Sequence, residues 1–512
     1  MLPANPADAR RPGARVSTHS GSGWLLLPIV LVASAARLFA LGRIPDGIWH
    51  DEALNGLEGI SSSLAGLFPV FYPANFGREG LYINLVGLSE RALGVSPFAL
   101  RLPAALAGIA TVTFVYLLGR ELYSPSVGLL AAWFAASGFW AVLISRISFR
   151  AVLTPLLLAA TVYFMVAAVR KRSMGLSAFA GLSCGLGFHA YPTFRLVPLL
   201  LVCLLVFQLR AGVEEERKTL LRLWSVMSTV AIASAAPIIL YFARHPGDAM
   251  SRSGVLVWNY EPPVSGILRG ILIAIRMFAL EGDLNWRHNY SGAPELSWPL
   301  AVFFLWGAVV CVRSLRGKGA NWHWLPWAWL CIGLIPCFIT FDVPHALRAA
   351  IVTPAAYLLC ALGADAALGV AAHRQVLRIG ILAVIVAGGA GELAHYFGEY
   401  APAVAATEAF CRRDAAIARE LNSQPAAIRR FVVVPPDPYF RHAVEFGTYG
   451  HPQPEYVSVP EVLSSRDLRG RFSTGAIIAC LQPDARLFLE LQRRGVPLRV
   501  VPRGEIAIAF AK

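Results

Sequence analysis

The sequence predicts an all-α polytopic membrane protein carrying a small soluble α/β domain at its C-terminal end. Three observations predict it. Of 512 residues, 56% are hydrophobic and 15% charged, with a mean hydropathy of +0.57, too apolar for a soluble chain of this length. Eleven apolar runs approach the roughly 20 residues that cross a bilayer. Past residue 398 the pattern changes to helix-like stretches alternating with short β-branched runs.

Taken in order, residues 1–23 are rich in Pro, Gly, Ala and Ser and carry Arg10, Arg11 and Arg15. They read as a disordered basic tail, because the apolar run that follows is too long for a cleavable signal and lacks a small-residue exit. A membrane domain follows over 24–397, with spans expected at 24–42, 98–119, 125–145, 150–169, 174–190, 196–210, 223–242, 298–313, 324–342, 350–371 and 379–397. With the tail cytoplasmic, the inner loops hold Arg120, the Arg170-Lys171-Arg172 cluster, Arg210 to Arg222, Arg313 to Lys318, and Arg374 with Arg378. That is the positive-inside pattern, so the net charge of +14 reports topology and not a nucleic acid partner.

This orientation requires that 81–93 not span. Asn84, Glu90 and Arg91 interrupt it, and it reads as an amphipathic helix in the outer interface. Ser265 to Leu280 reads the same way, since Arg269 and Arg276 lie two helical turns apart on one face. The remaining residues, 398–512, make the extracytoplasmic α/β domain, with helices over Val404–Leu421 and Ala485–Arg494 and strands at Arg430–Val434, Gly475–Ala479, Leu498–Val501 and Glu505–Phe510. No internal repeat is present.

Six of the eight cysteines fall in apolar runs, where Cys packs as a small hydrophobe. Cys411 and Cys480 lie in the polar part, where a disulfide and free thiols are both open. No cysteine pair has zinc-site spacing, so no metal ligand is assigned.

The stretch Trp49-His50-Asp51-Glu52-Ala53 places two adjacent carboxylates just after the first span. A solvated helix start, favoured by the helix dipole, accounts for them as well as a reaction site does. The outer segments hold few other acids (Glu58, Glu79, Glu281, Asp283, Asp342) but many arginines: Arg78, Arg146, Arg150, Arg195, Arg269, Arg276, Arg287 and Arg348. Arginine gives permanent, bidentate recognition of phosphate, and a carboxylate among them can serve as general base. Snorkelling at lipid headgroups is the other reading of such arginines. His189, His288, His345 and Asn289 are further ligand candidates, although histidines in turns more often make plain hydrogen bonds.

The order of segments carries a resemblance. An Asp-Glu loop after one span is followed by Arg78-Glu79-Gly80-Leu81-Tyr82, then Leu93-Gly94, Ala99-Leu100-Arg101-Leu102-Pro103-Ala104-Ala105-Leu106 and Leu118-Gly119-Arg120-Glu121-Leu122. Over about residues 24–200, and more loosely at Pro344-His345-Ala346-Leu347-Arg348, this resembles the GT-C glycosyltransferases that use polyprenyl-phosphate sugars. Protein O-mannosyltransferases (glycosyltransferase 39-like) and the aminoarabinose transferases of lipid A are among them.

The resemblance implies a GT-C fold in the cytoplasmic membrane of a bacterium. It implies inverting transfer of a sugar from a polyprenyl-phosphate donor to a hydroxyl on a protein, lipid or glycan acceptor at the outer face. It further implies Asp51 as general base, with Glu52 its neighbour, and Arg78, Arg348 and Arg195 on the lipid phosphate. Glu79, Arg150, Tyr191 and His345 complete the expected substrate-binding set. A divalent metal stays open. One departure stands out: where relatives often carry a second acid just before a proline, this chain has Thr154-Pro155. The competing class is a transporter or flippase for a lipid-linked or anionic solute, which usually carries midplane charges and repeats.

Overall fold

The computed structural model describes residues 23–511 except 212–215, 254–263, 318–320, 341, 466–467, 469–471, 473–475, 482–484 and 504–505. The expected basic tail, and Lys318 of the inner loops, lie outside the described residues.

The chain is a multi-pass membrane protein. Seven helical segments are long and apolar enough to cross a bilayer: 97–122, 150–171, 192–211, 217–244, 298–315, 348–370 and 375–400. Three shorter apolar helices, at 23–38, 125–137 and 174–187, join them. The expected span 324–342 is broken into two helical pieces. The expected span 125–145 divides at Gly138, where the backbone N–H of Phe139 donates to the Glu392 carboxylate at 2.6 Å and starts a new helix.

In order, the membrane domain comprises α1 (Leu26–Leu38), α2 (His50–Leu64), α3 (Gly80–Leu93), α4 (Pro97–Leu122), α5 (Pro125–Ser137), α6 (Phe139–Ile144), α7 (Leu153–Lys171), α8 (Met174–Gly187) and α9 (Val197–Ala211). It continues with α10 (Arg217–Arg244), α11 (Pro246–Ser253), α12 (Val264–Arg276), α13 (Trp298–Leu315), α14 (Trp324–Gly333), α15 (Ile335–Phe338), α16 (Thr353–Val370) and α17 (Gln375–Ala394). A π-helical turn, His395–Tyr400, ends it.

Buried arginines hold this bundle together by capping helix ends. Arg37 donates to the carbonyls of Ala135 and Ala136 at the end of α5, at 2.8 and 2.9 Å. Arg146 donates to Ala36 and Phe39 at the end of α1, at 2.7 and 2.8 Å. Guanidinium groups satisfy carbonyls that a helix leaves unpaired, and complement the negative end of its dipole. Arg146, a basic candidate by sequence, is thus committed to the scaffold.

Helices α2 and α3 position the site. They are joined by a two-stranded hairpin, β1 (Phe71–Tyr72) against β2 (Arg78–Glu79), which pairs Phe71 with Glu79 and Tyr72 with Arg78. At 14 residues α3 is about 21 Å long, short of the roughly 30 Å hydrocarbon core, as an interfacial helix would be. The helices cross closely at Gly59 and Gly87, where a Cβ on Gly87 would come within 2.1 Å of the Gly59 carbonyl oxygen.

The C-terminal part holds α18 (Val404–Ala409), α19 (Arg412–Asn422), β3 (Arg430–Val433), α20 (His442–Gly447), β4 (Glu455–Val457), α21 (Val459–Ser464), β5 (Ile477–Cys480), α22 (Ala485–Arg493), β6 (Leu498–Arg503) and β7 (Ile506–Ala511). Its sheet has the order β4-β3-β5-β7-β6, with β4, β3 and β5 parallel and β7 antiparallel to both neighbours. Strand alternation gives two cores. Phe431, Val433 and Ile478 pack with α22 on one face, while Val432 and Ile477 pack with α19 and α20 on the other. Phe410 and Phe446 belong instead to the membrane domain's core. Cys411 forms no disulfide with Cys480; its Sγ lies 3.5 Å from His50 Nε2.

Candidate active site

The two adjacent carboxylates of α2 have opposite surroundings. Glu52 is fully buried and saturated: Oε1 accepts from Arg101 Nε at 3.0 Å and the Ser148 N–H at 2.8 Å, and Oε2 from the Trp49 N–H at 3.2 Å. Arg101 also donates to the carbonyls of Pro45 and Gly47. Glu52 therefore ties the start of α2 to α4 and to the 147–149 turn. One residue earlier in the same helical turn, Asp51 points elsewhere, onto a polar cavity of about 170 Å³.

Asp51 Oδ1 accepts from Asn75 Nδ2 at 2.6 Å and from the Tyr439 hydroxyl at 2.7 Å. Among the described residues no hydrogen bond reaches Oδ2. Two donors fix the carboxylate plane and leave one oxygen for an incoming proton.

Four arginines line the cavity, Arg78, Arg150, Arg287 and Arg348, against two carboxylates, Asp51 and Asp342. Each guanidinium is aimed by a partner behind it. Arg78 donates to Asn55 Oδ1 at 2.8 Å and pairs with Glu58, whose carboxyl burial pushes up while Arg78 opposes the shift. Arg150 bonds Glu79 Oε2 and lies over the Tyr191 ring at 5.6 Å. Arg348 donates to Thr340 Oγ1 at 2.9 Å. Arg287 stacks on Trp49, 3.9 Å from the ring centroid.

Of the residues singled out by sequence, the cavity brings together Asp51, Arg78, Arg150, Tyr191, Arg287, His288, Asp342, His345 and Arg348. Glu52, Glu79 and Arg195 stand outside its lining. Glu79 is a fork behind the wall, holding Arg150 on one oxygen and Arg195 on the other at 3.3 Å. Thr154, where a second acid was looked for, is buried in α7 and donates to the Ala151 carbonyl. The second acid of this cavity comes from a late loop, as Asp342. Arg269 and Arg276 are exposed on α12. His189 lies away from the cavity and donates from Nε2 to the Ser234 carbonyl at 3.0 Å.

Sequence reasoning gave no place to Asn55, Asn75 or Tyr439. The asparagines follow Asp51 and precede Arg78 at spacings only the hairpin makes meaningful. Tyr439 arrives from 388 residues downstream, on the 3-10 turn Pro438–Arg441. Its ring is 6.3 Å from Trp49 and 5.1 Å from His50. Burial, then the Asp51 charge, holds its hydroxyl protonated and donating. His50, enclosed by Tyr439, Phe440 and Cys411, is pushed down to about 4, chiefly by burial and next by His442. Burial also lowers His288, with Asp283 opposing.

Comparison with known proteins places this geometry. A family model described as dolichyl-phosphate-mannose-protein mannosyltransferase matches residues 84–241, and no curated protein matches the sequence. Among solved structures, ArnT from Cupriavidus metallidurans bound to undecaprenyl phosphate superposes with a TM-score of 0.64 at 14% identity, over 96% of this chain and 98% of that one. The apo state of the same protein gives 0.59 at 13% identity over the same shares. Archaeal oligosaccharyltransferase AglB from Archaeoglobus fulgidus, in complex with an inhibitory peptide and a dolichol-phosphate, gives 0.51 at 12% identity, over 96% of this chain and 74% of that one. The superpositions on ArnT take in nearly the whole of both chains, and the fold is that of the GT-C glycosyltransferases.

Proposed function

We propose that the protein is an inverting glycosyltransferase that moves a sugar from a polyprenyl-phosphate donor to an acceptor hydroxyl at the outer face of a bacterial cytoplasmic membrane. The observation that carries this reading is Asp51, with one carboxylate oxygen clamped by two donors and the other open onto a cavity walled by four arginines. Asp51 Oδ2 takes the proton of the acceptor hydroxyl as its oxygen attacks the anomeric carbon. The bond from that carbon to the phosphate oxygen breaks, and the phosphate leaves with the electron pair. Arg78, Arg150 and Arg348 stabilise the charge that develops on it, so the leaving group needs no general acid. Because the guanidinium groups are already held by Asn55, Glu58, Glu79 and Thr340, little reorganisation accompanies the reaction.

The structural neighbours named for undecaprenyl phosphate and dolichol-phosphate support a lipid-linked donor for this chain. The test is release of polyprenyl phosphate by the purified protein from a panel of polyprenyl-phosphate sugars, in the presence of membrane extract as acceptor source. Release with at least one donor, lost in Asp51→Asn, is the expected result. No release with any donor overturns the reading in favour of a transporter.

A further inference from the structure

A second, smaller cavity lies inside the bundle between α1, α4, α5, α6 and α16 and shares no residue with the arginine cavity. Its volume is about 20 Å³ and most of its wall is apolar. Two polar groups in that wall have no hydrogen-bond partner among the described residues, Nε of Arg37 and the hydroxyl of Tyr357. Both residues are 1% exposed. A guanidinium nitrogen can only donate, and the Tyr357 hydroxyl still has its proton to give. The other hydroxyls of the wall are already committed. Thr111 donates to the Ala107 carbonyl at 2.8 Å, Ser145 to Ala141 at 2.6 Å and Thr353 to Ala350 at 2.9 Å.

Charge around this cavity is unbalanced as well. Arg37 and Arg146 are buried without a carboxylate partner among the described residues. Their hydrogen bonds go to carbonyl oxygens and, for Arg146, to the Tyr396 hydroxyl. The ends of α1 and α5 that they cap carry about half a negative charge each, so of two permanent positive charges about one is left without compensation. A buried charge in that state is strongly unfavourable. The buried carboxylate of Glu392 is held elsewhere, by the Phe139 and Ser297 N–H groups.

We propose that this cavity binds one monatomic anion of the halide class, chloride in a cell, between the Arg37 Nε–H and the Tyr357 O–H. One water needs about 10–15 Å³, so the volume here accommodates a halide and is too small for phosphate or sulfate. A water at the same place would accept from both donors but bring two further protons and no charge. An anion meets both donors and balances the arginines. Through Ser145 the site adjoins the turn that supplies the Ser148 N–H to Glu52 and Arg150 to the arginine cavity, so the bound ion firms the support of that turn. The inference stands on donors, volume and charge, independent of the transferase reading.

The full-length protein in detergent is melted in rising potassium chloride and, at equal ionic strength, in potassium gluconate. An ion that binds only the folded state raises the melting temperature as its concentration rises. Wild type should therefore melt higher in chloride than in gluconate, and bromide should replace chloride. Tyr357→Phe keeps the ring and removes one donor, so the chloride concentration for half the effect should rise about 10-fold or more. Arg37→Gln should abolish the effect, and Arg287→Gln, in the other cavity, should retain it. Equal melting in chloride and gluconate, as a water in the cavity would give, overturns the site. So does an unchanged chloride midpoint in Tyr357→Phe, or a chloride effect lost in Arg287→Gln.

Discussion

Asp51 and Glu52 are neighbours of the same charge with different tasks, and substitution should separate them. Asp51→Asn keeps both hydrogen-bond partners of Oδ1 in place but removes the base, so turnover should fall about 10²–10⁴-fold with melting unchanged. Glu52→Ala leaves Arg101 buried and unpaired, which costs about 3–5 kcal/mol, so this variant should fail in expression or melting before activity is read. Reversed outcomes would exchange the two roles. Tyr439→Phe removes one hydrogen bond to a charged carboxylate, an interaction worth about 1.5–3 kcal/mol. Its kcat should drop about 10-fold or more with donor KM nearly constant; an equal rise in KM alone would show that Tyr439 binds substrate instead. The sequence shows Asp51, Arg78 and Arg348 because their segments carry unusual charge for their depth. It cannot show that Glu52 is a clamp, since that follows from Arg101 and Ser148 meeting it across 49 and 96 residues.

At the level of elements, α2 works as a wedge between α3 and the C-terminal domain. Its apolar side meets α3 at the Gly59–Gly87 crossing, and Gly56 lies against the Phe446 ring of α20, where an added Cβ would come within 2.5 Å. His50 sits at this seam, and its protonation has a defined sign. The unfolded His50 binds a proton below about 6.5, but the folded one only below about 4. Between these values the unfolded state holds more protons, so stability conferred at neutral pH is lost as pH falls from 6.5 toward 4. Melting temperature should decline over that window, and His50→Asn should flatten the decline. An identical pH profile in the variant would place the sensitivity elsewhere. That α3 is too short to span was legible from Asn84, Glu90 and Arg91, which interrupt its apolar run. The break at 324–342 was not, because hydropathy averages over the Gly333 and Pro336 positions where helix α14 ends and α15 begins.

For the whole molecule, the sheet domain reaches into the membrane domain at the candidate site. Arg412 pairs with Asp46 at 3.2 Å, Phe410 and Phe446 enter the core of the bundle, and Tyr439 reaches Asp51. A chain truncated after Ala403 should therefore insert in membranes and yet release little polyprenyl phosphate. Activity near that of the full chain would show that the sheet domain is dispensable for chemistry. The membrane helices and the C-terminal sheet were both legible from composition, since apolar runs and β-branched runs differ in kind. Their docking was not, because Pro438-Tyr439-Phe440 has no periodicity that marks it as part of a site.

The Tyr439 contact also sets an order in time. A nascent chain acquires α1 to α10 early, and with them Asp51, Arg78 and Arg150, while the residue that orients the base is still to be translated. A ribosome-tethered intermediate lacking the last 80 or so residues (about a sixth of the chain by length) would carry the acid with Asn75 but without the second donor of its clamp. On the proposed mechanism, Asp51 therefore gains its second donor only once the sheet domain has been made, so that a half-made chain in the membrane works below the rate of the whole.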